Sequence, residues 1–123
     1  MPISAAEQHV MNVLWDSSPR TADEIVEILE SRHDWKRATI KTLINRLLNK
    51  GVIVAEKDGR KYRYSPSITR ESYLREESSG FLDRLFDGKL SAMVSHFSSS
   101  GQLGPEDLAE LKAVLEGLER DGQ

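Results

Sequence analysis

The chain has 123 residues, the length of one domain or of a small domain with an attached assembly segment, which argues against a multidomain enzyme. It holds no cysteine, so a disulfide framework, a zinc ribbon, a cysteine nucleophile and a thiolate redox switch are all excluded. The net charge of −3 is unevenly spread: residues 1–75 carry 13 Lys+Arg against 10 Asp+Glu, or +3, whereas 76–123 carry 4 against 10, or −6.

Two helix starts come first. Ser4-Ala-Ala-Glu7 and Thr21-Ala-Asp-Glu24 fit the capping box, in which the hydroxyl accepts from an early free N–H and the glutamate reaches back to the cap's own N–H. Val10, Val13 and Leu14 follow the first at helical spacing, and Ile25, Ile28 and Leu29 follow the second. Ser17-Ser18-Pro19 separates the two helices. A third helix is expected from about Arg37 to Lys50, because Ile40, Leu43, Ile44, Leu47 and Leu48 form one buried stripe. Gly51 is its expected C-cap.

The hydrophobic period then changes. Val52–Glu56 and Arg60–Tyr64 are short and β-prone, and Lys57-Asp58-Gly59 between them carries the Asp-Gly signal of a hairpin turn. Pro66 closes the second strand, and one of Tyr62 and Tyr64 is expected in the core. Three helices followed by a basic hairpin is the order of a winged helix-turn-helix domain, placed at 1–67. The rest, 68–123, reads as a helical dimerisation segment, so the fold class is mainly α with a small β-hairpin. Tyr73, Leu74, Phe81, Leu82, Leu85 and Phe86 pattern its first helix; Leu90, Met93, Val94 and Phe97 the second; Leu108, Leu111, Val114, Leu115 and Leu118 the third. Gly88 ends the first, Ser98-Ser-Ser-Gly101 is expected as a flexible break, and Pro105 opens the last. Such thin helices cannot bury their apolar faces alone, and a second copy of the chain is the simplest cover.

Between Trp35 and Arg63 nine basic residues face only Glu56 and Asp58, a local charge of +7. An anionic partner and a merely solvated face both fit charge alone. The third helix discriminates further. At about 100° per residue, Thr39, Thr42, Asn45, Arg46 and Asn49 lie opposite the apolar stripe, with Lys41 and Lys50 at its edges and no acid among them. Short hydroxyls, amides and long cations on a bare helix are what reading a major groove requires. The hairpin tip adds Arg60 and Lys61, with Arg63 behind them, and Arg37 sits at the helix start.

These residues carry a resemblance. Glu7-x-x-Val10-Met11-x-x-Leu14-Trp15, Thr21-x-x-Glu24-Ile25, Trp35-x-x-x-Thr39-Ile40-Lys41-Thr42-Leu43-x-x-Arg46-Leu47-x-x-Lys50-Gly51 and Asp58-Gly-Arg-Lys-Tyr-Arg-Tyr64 resemble the BlaI/MecI/CopY family of bacterial repressors over nearly the whole chain. The resemblance implies a homodimeric repressor on a palindromic double-stranded DNA operator, controlling a resistance or stress operon and its own gene. It also implies a dimer interface in the C-terminal helices, which hold Phe81, Leu82, Leu85, Phe86, Leu90, Val94, Phe97, Leu108, Leu111 and Leu115. Relatives governing β-lactam resistance are cut at an Asn-Phe bond by a sensor-linked protease. The matching bond here is His96-Phe97. The paired Cys-x-Cys motifs of the copper-responsive branch are missing.

Two other classes of function make different demands on the residues. An enzyme needs a nucleophile, base and orienting group, or a metal set. His9, His33 and His96 lie far apart in sequence, His33-Asp34 is a weak metal pair, and no catalytic residue, metal site or cofactor is expected. A winged helix serving as a protein-interaction module should present an acidic or apolar third helix and wing, whereas these are basic. With no apolar run near the roughly 20 residues of a membrane span and no signal-peptide pattern, the expected location is the cytoplasm.

Overall fold

In a computed structural model that describes residues 2–122, helix α1 (Ala5–Asp16) begins at the first capping box: Ser4 Oγ accepts from Glu7 N at 3.1 Å, and Ser4 N donates to Glu7 Oε1 at 2.8 Å. Strand β1 (Arg20–Thr21) leads directly into α2 (Ala22–Arg32), whose box closes through Thr21 and Glu24 at 3.2 and 2.9 Å. Helix α3 (Arg37–Lys50) ends at Gly51, whose φ of 76° is the left-handed conformation that closes a helix cheaply only in glycine. Its N–H bonds back to Leu47 and Leu48. The chain turns there into β2 (Ile53–Asp58) and β3 (Lys61–Pro66), followed by α4 (Arg70–Phe86), α5 (Leu90–Ser99) and α6 (Pro105–Asp121).

The three strands form one antiparallel sheet in the order β1-β3-β2. The hairpin pairs further out than its sequence suggests. Asp58 pairs with Lys61, so only Gly59 and Arg60 form the loop, with Gly59 at φ 67° in the first loop position. Lys57 and Asp58 are therefore strand residues, as an exposed edge hairpin tolerates charge along its whole length. Tyr64 packs against the core and Tyr62 is half exposed. The two point the same way along the strand, so alternation does not separate them; Tyr62 simply lies further out, beyond the helices that cover Tyr64.

Two units make up the chain, Met1–Leu74 and Arg75–Gln123. In the first, Val10, Met11 and Leu14 of α1, Ile25, Val26 and Leu29 of α2, and Ile40, Leu43, Ile44 and Leu47 of α3 form one buried cluster closed below by Val52 and Ile53. This unit extends past residue 67 because Trp15 fastens the following segment. The Trp15 indole N–H donates to Ile68 O at 3.0 Å, and its ring lies 5.4 Å from that of the buried Tyr73.

Glu7 has a second task beneath its cap. It is 1% exposed and receives Lys50 Nζ at 2.5 Å, joining the start of α1 to the end of α3. Burial is the largest single influence and pushes its carboxyl upward, but the hydrogen bonds from Lys50 and from Ser4's backbone and hydroxyl, with the Lys50 charge, outweigh it and hold the group below its ordinary 4.5. A depressed carboxylate contributes stability that is fully present above the ordinary value and is lost as pH falls through the folded one. Glu7→Gln is therefore expected to lower the thermal midpoint at pH 7 and to flatten its decline as pH falls below the ordinary carboxylate value. Glu24, held low chiefly by Thr21's backbone N–H and then its hydroxyl, slopes the same way, so parent and variant must be compared directly. Parallel midpoint-against-pH curves for the two proteins would remove the assignment.

The second unit is thinner. Asp87 and Gly88, both at positive φ, end α4, and Gly88 N bonds back to Leu82 O at 2.9 Å. Helix α5 continues through Ser98 and Ser99, so the expected flexible break shrinks to Ser100 and Gly101. At this end Ser99 Oγ donates to Ser95 O at 3.0 Å and Ser100 Oγ to Phe97 O at 3.1 Å.

Candidate nucleic-acid interface

Helix α3 buries Ile40, Leu43, Ile44 and Leu47, keeps Leu48 of the expected stripe only partly buried, and leaves Thr39, Lys41, Thr42, Asn45, Arg46 and Asn49 exposed on the other side. Its start differs electrostatically from those of α1 and α2. Lys36 is the N-cap and supplies no side-chain bond, and the first turn holds no acid, so neither a cap nor a carboxylate neutralises the positive end of the helix. Thr42 Oγ1 donates to Ala38 O at 2.9 Å, which leaves its oxygen to act outward as an acceptor. On the wing, Arg60 and Lys61 are exposed.

Three of the cations expected on this face already have partners in the free chain. Lys50 is withdrawn from the face: its ammonium lies between Glu7 Oε1 and Pro2 O, the latter at 2.9 Å, and its side chain is 22% exposed. In the free chain Lys50, expected among the DNA-binding residues, holds α3 against α1, since a charge this close to a buried carboxylate gains more there than in solvent. Arg63 is divided between Asp58 Oδ2 at 2.7 Å and Glu24 Oε1 at 4.0 Å, so its guanidinium braces the wing against α2. Asp58, read from sequence as a turn residue, also raises the pKa of Arg63 through this hydrogen bond. Arg37 pairs with Asp23 at the start of α2, but that pair is more than half exposed and carries little energy in water. It can exchange its partner for a phosphate.

Of the expected dimerisation residues, Leu85, Leu90, Leu108 and Leu115 are strongly exposed and Phe81 marginally so, whereas Leu82, Phe86, Val94, Phe97 and Leu111 are half-buried. Val114 and Leu118 are at least as open, at 60% and 62%. Leu90, Val94, Leu108 and Leu115 line a cleft of about 510 Å³ between α5 and α6. His96 and Phe97 lie inside α5, their rings 5.4 Å apart, with His96 also 5.9 Å from Phe86. Among the described residues no helix is long and apolar enough to cross a membrane.

The model of the penicillinase repressor family matches residues 3–117. The chain belongs to the penicillinase repressor family. Members of this family are DNA-binding transcriptional repressors and not enzymes, and this chain is a repressor of the same kind. It is 37% identical to the penicillinase repressor of Bacillus licheniformis over 114 residues, 93% of this chain and 89% of that protein. It is 31% identical to the methicillin resistance regulatory protein MecI of Mammaliicoccus sciuri over 113 residues, 92% of each. The solution structure of monomeric Bacillus licheniformis BlaI in complex with the blaP half-operator superposes with a TM-score of 0.53 at 36% identity, covering 59% of this chain and 89% of that one. The winged helix of this penicillinase-repressor member therefore has the fold of a domain that has been seen on DNA.

Proposed function

We propose that this repressor binds a palindromic operator as a homodimer, each copy setting α3 into the major groove and its wing over the flanking backbone. The observation that carries the proposal is the outer face of α3. Lys41, Asn45 and Arg46 stand free on a helix with no acid on that side, next to a wing whose tip is Arg60 and Lys61. Arg46 and Lys41 reach base edges or the adjoining phosphates, Thr39, Thr42 and Asn45 complete the reading face, and Arg37 serves a phosphate once it leaves Asp23. A salt-sensitive shift of an operator duplex at nanomolar protein is the direct test.

Arg46→Ala is expected to cost about 1–3 kcal/mol of operator binding and to relax preference at one base pair. Unchanged affinity together with unchanged preference would remove Arg46 from the reading face. Replacing Arg60 or Lys61 should behave differently, weakening all sequences alike and reducing the salt slope by about one for each phosphate that is no longer neutralised. A base-specific loss at the wing would reverse that division of labour.

Relief of repression by a cognate sensor-linked protease, with cleavage at His96-Phe97, belongs to the same proposal. The bond lies within a helix, so α5 must unwind locally before a protease can hold it extended. Cutting there detaches α6 and its exposed leucines from the rest of the chain. The expected location of the protein is the cytoplasm, where operator DNA lies.

A further inference from the structure

The first unit brings His9 against two rings, His33 and Trp35, that lie more than twenty residues further along the sequence. His9 lies exposed on α1, and its ring centre is 4.5 Å from that of His33, the C-cap of α2, with the ring planes 63° apart. Trp35 stacks on His33 at 4.2 Å and 12°, and meets His9 edge-on at 5.4 Å. The reading face of α3 uses none of them. Among the described residues, no group of three or more His, Cys, Asp or Glu side chains is arranged to hold a metal, so any ion here rests on the two imidazoles and solvent.

The ring separation is informative. A metal ~2.0–2.1 Å from an imidazole nitrogen lies ~3.2 Å from the ring centre, so two rings bound at ~90° to each other have centres ~4.5 Å apart, and at a tetrahedral angle ~5.2 Å. The observed 4.5 Å equals the first of these spacings. Trp35 stacks on one face of His33 and so restrains the plane of the ring. His9 is exposed and His33 half-buried, so an ion and its waters can reach both. Neutral nitrogen donors disfavour magnesium and calcium, and a tetragonal imidazole pair favours the late divalent ions of the first transition row.

We propose that His9 and His33 form a two-imidazole site for divalent copper or nickel, with water in the remaining positions. An ion there ties the middle of α1 to the turn that leads through Trp35 and Lys36 into α3. Because the unfolded chain does not hold these rings together, binding stabilises the folded domain.

Copper(II) chloride is titrated into the full-length protein in a weakly coordinating buffer, followed by tryptophan fluorescence and electron paramagnetic resonance. One ion per chain should bind saturably at micromolar concentration, quench part of the fluorescence through Trp35, show nitrogen hyperfine structure from two imidazoles and raise the melting midpoint. His9→Phe keeps a ring in the cluster but removes a ligand; it should melt near the parent without copper yet bind copper at least about tenfold more weakly. His33→Gln should lose binding to the same degree, and His96→Gln should lose none. Copper affinity unchanged in His9→Phe and His33→Gln, or no saturable site at micromolar copper in the parent, overturns the proposal and leaves the cluster as aromatic packing. These readouts use no DNA, so they stand or fall separately from the operator proposal.

Discussion

A fragment ending at Leu74 is expected to fold, to be monomeric and to bind the complete operator about 10²–10⁴-fold more weakly than the full chain, because the second winged helix no longer acts at high effective concentration. The fragment must reach Leu74 rather than 67, since Ile68 and Tyr73 anchor Trp15 and belong to the first unit. What it loses is a set of helices whose large apolar side chains remain open in the single chain: Leu85 and Leu115 are each 57% exposed, Leu90 56% and Leu118 62%. Scattered leucines on a surface need no explanation, but this concentration on the thin second unit leaves apolar area that a partner copy would cover, at about 25 cal/mol for each Å² removed from water. Light scattering gives the oligomeric state and titration of one-half-site and two-half-site duplexes gives the coupling. A fragment that stays dimeric, or that binds the two-half-site duplex as tightly as the full chain, would place the interface in the first unit. Half-site affinity should barely change, because the reading helix is untouched.

The largest expected loss of stability comes from Leu47→Ala. Leu47 is fully buried on the inner face of α3, packed within the cluster shared by the three helices. Truncating a buried leucine removes its transfer energy and leaves a cavity, about 2–5 kcal/mol together. In a unit of this size each kcal/mol lowers the melting midpoint by roughly 4–8 °C. Asn49→Ala, two residues further along the same helix but on its exposed side, should change stability by no more than about 0.5 kcal/mol. Thermal melts of the two variants side by side check the orientation of α3. Equal losses would mean that the inner and outer faces have been exchanged.

Much of this architecture was legible in the sequence because it rests on short-range physics. The capping boxes at Ser4 and Thr21 and the end of α3 at Gly51 depend on residues within a few positions of one another, and each forms as expected. The inner stripe and outer face of α3 follow from helical geometry alone. Strand β1 left no signal because two residues carry no period, and its existence depends on pairing with Tyr64 and Arg63 far along the chain. The wing extends two residues further because strand pairing, rather than residue preference, sets where the hairpin turns.

What the tertiary structure decided is which of the basic residues are free. In sequence Lys50, Arg63 and Lys41 are equivalent cations on a basic segment. In the fold Lys50 meets Glu7 and Arg63 meets Asp58 and Glu24, whereas Lys41 meets solvent. The meeting of His9 with His33 and Trp35 is of the same kind, since residues from separate elements converge only when helices pack at a particular angle and register. Periodicity and capping therefore determined the helices, their inner faces and the order of a winged helix. Pairings between distant residues, and the charge left over after them, were decided by packing, because the energy of an interaction depends on distance in space and not on distance along the chain.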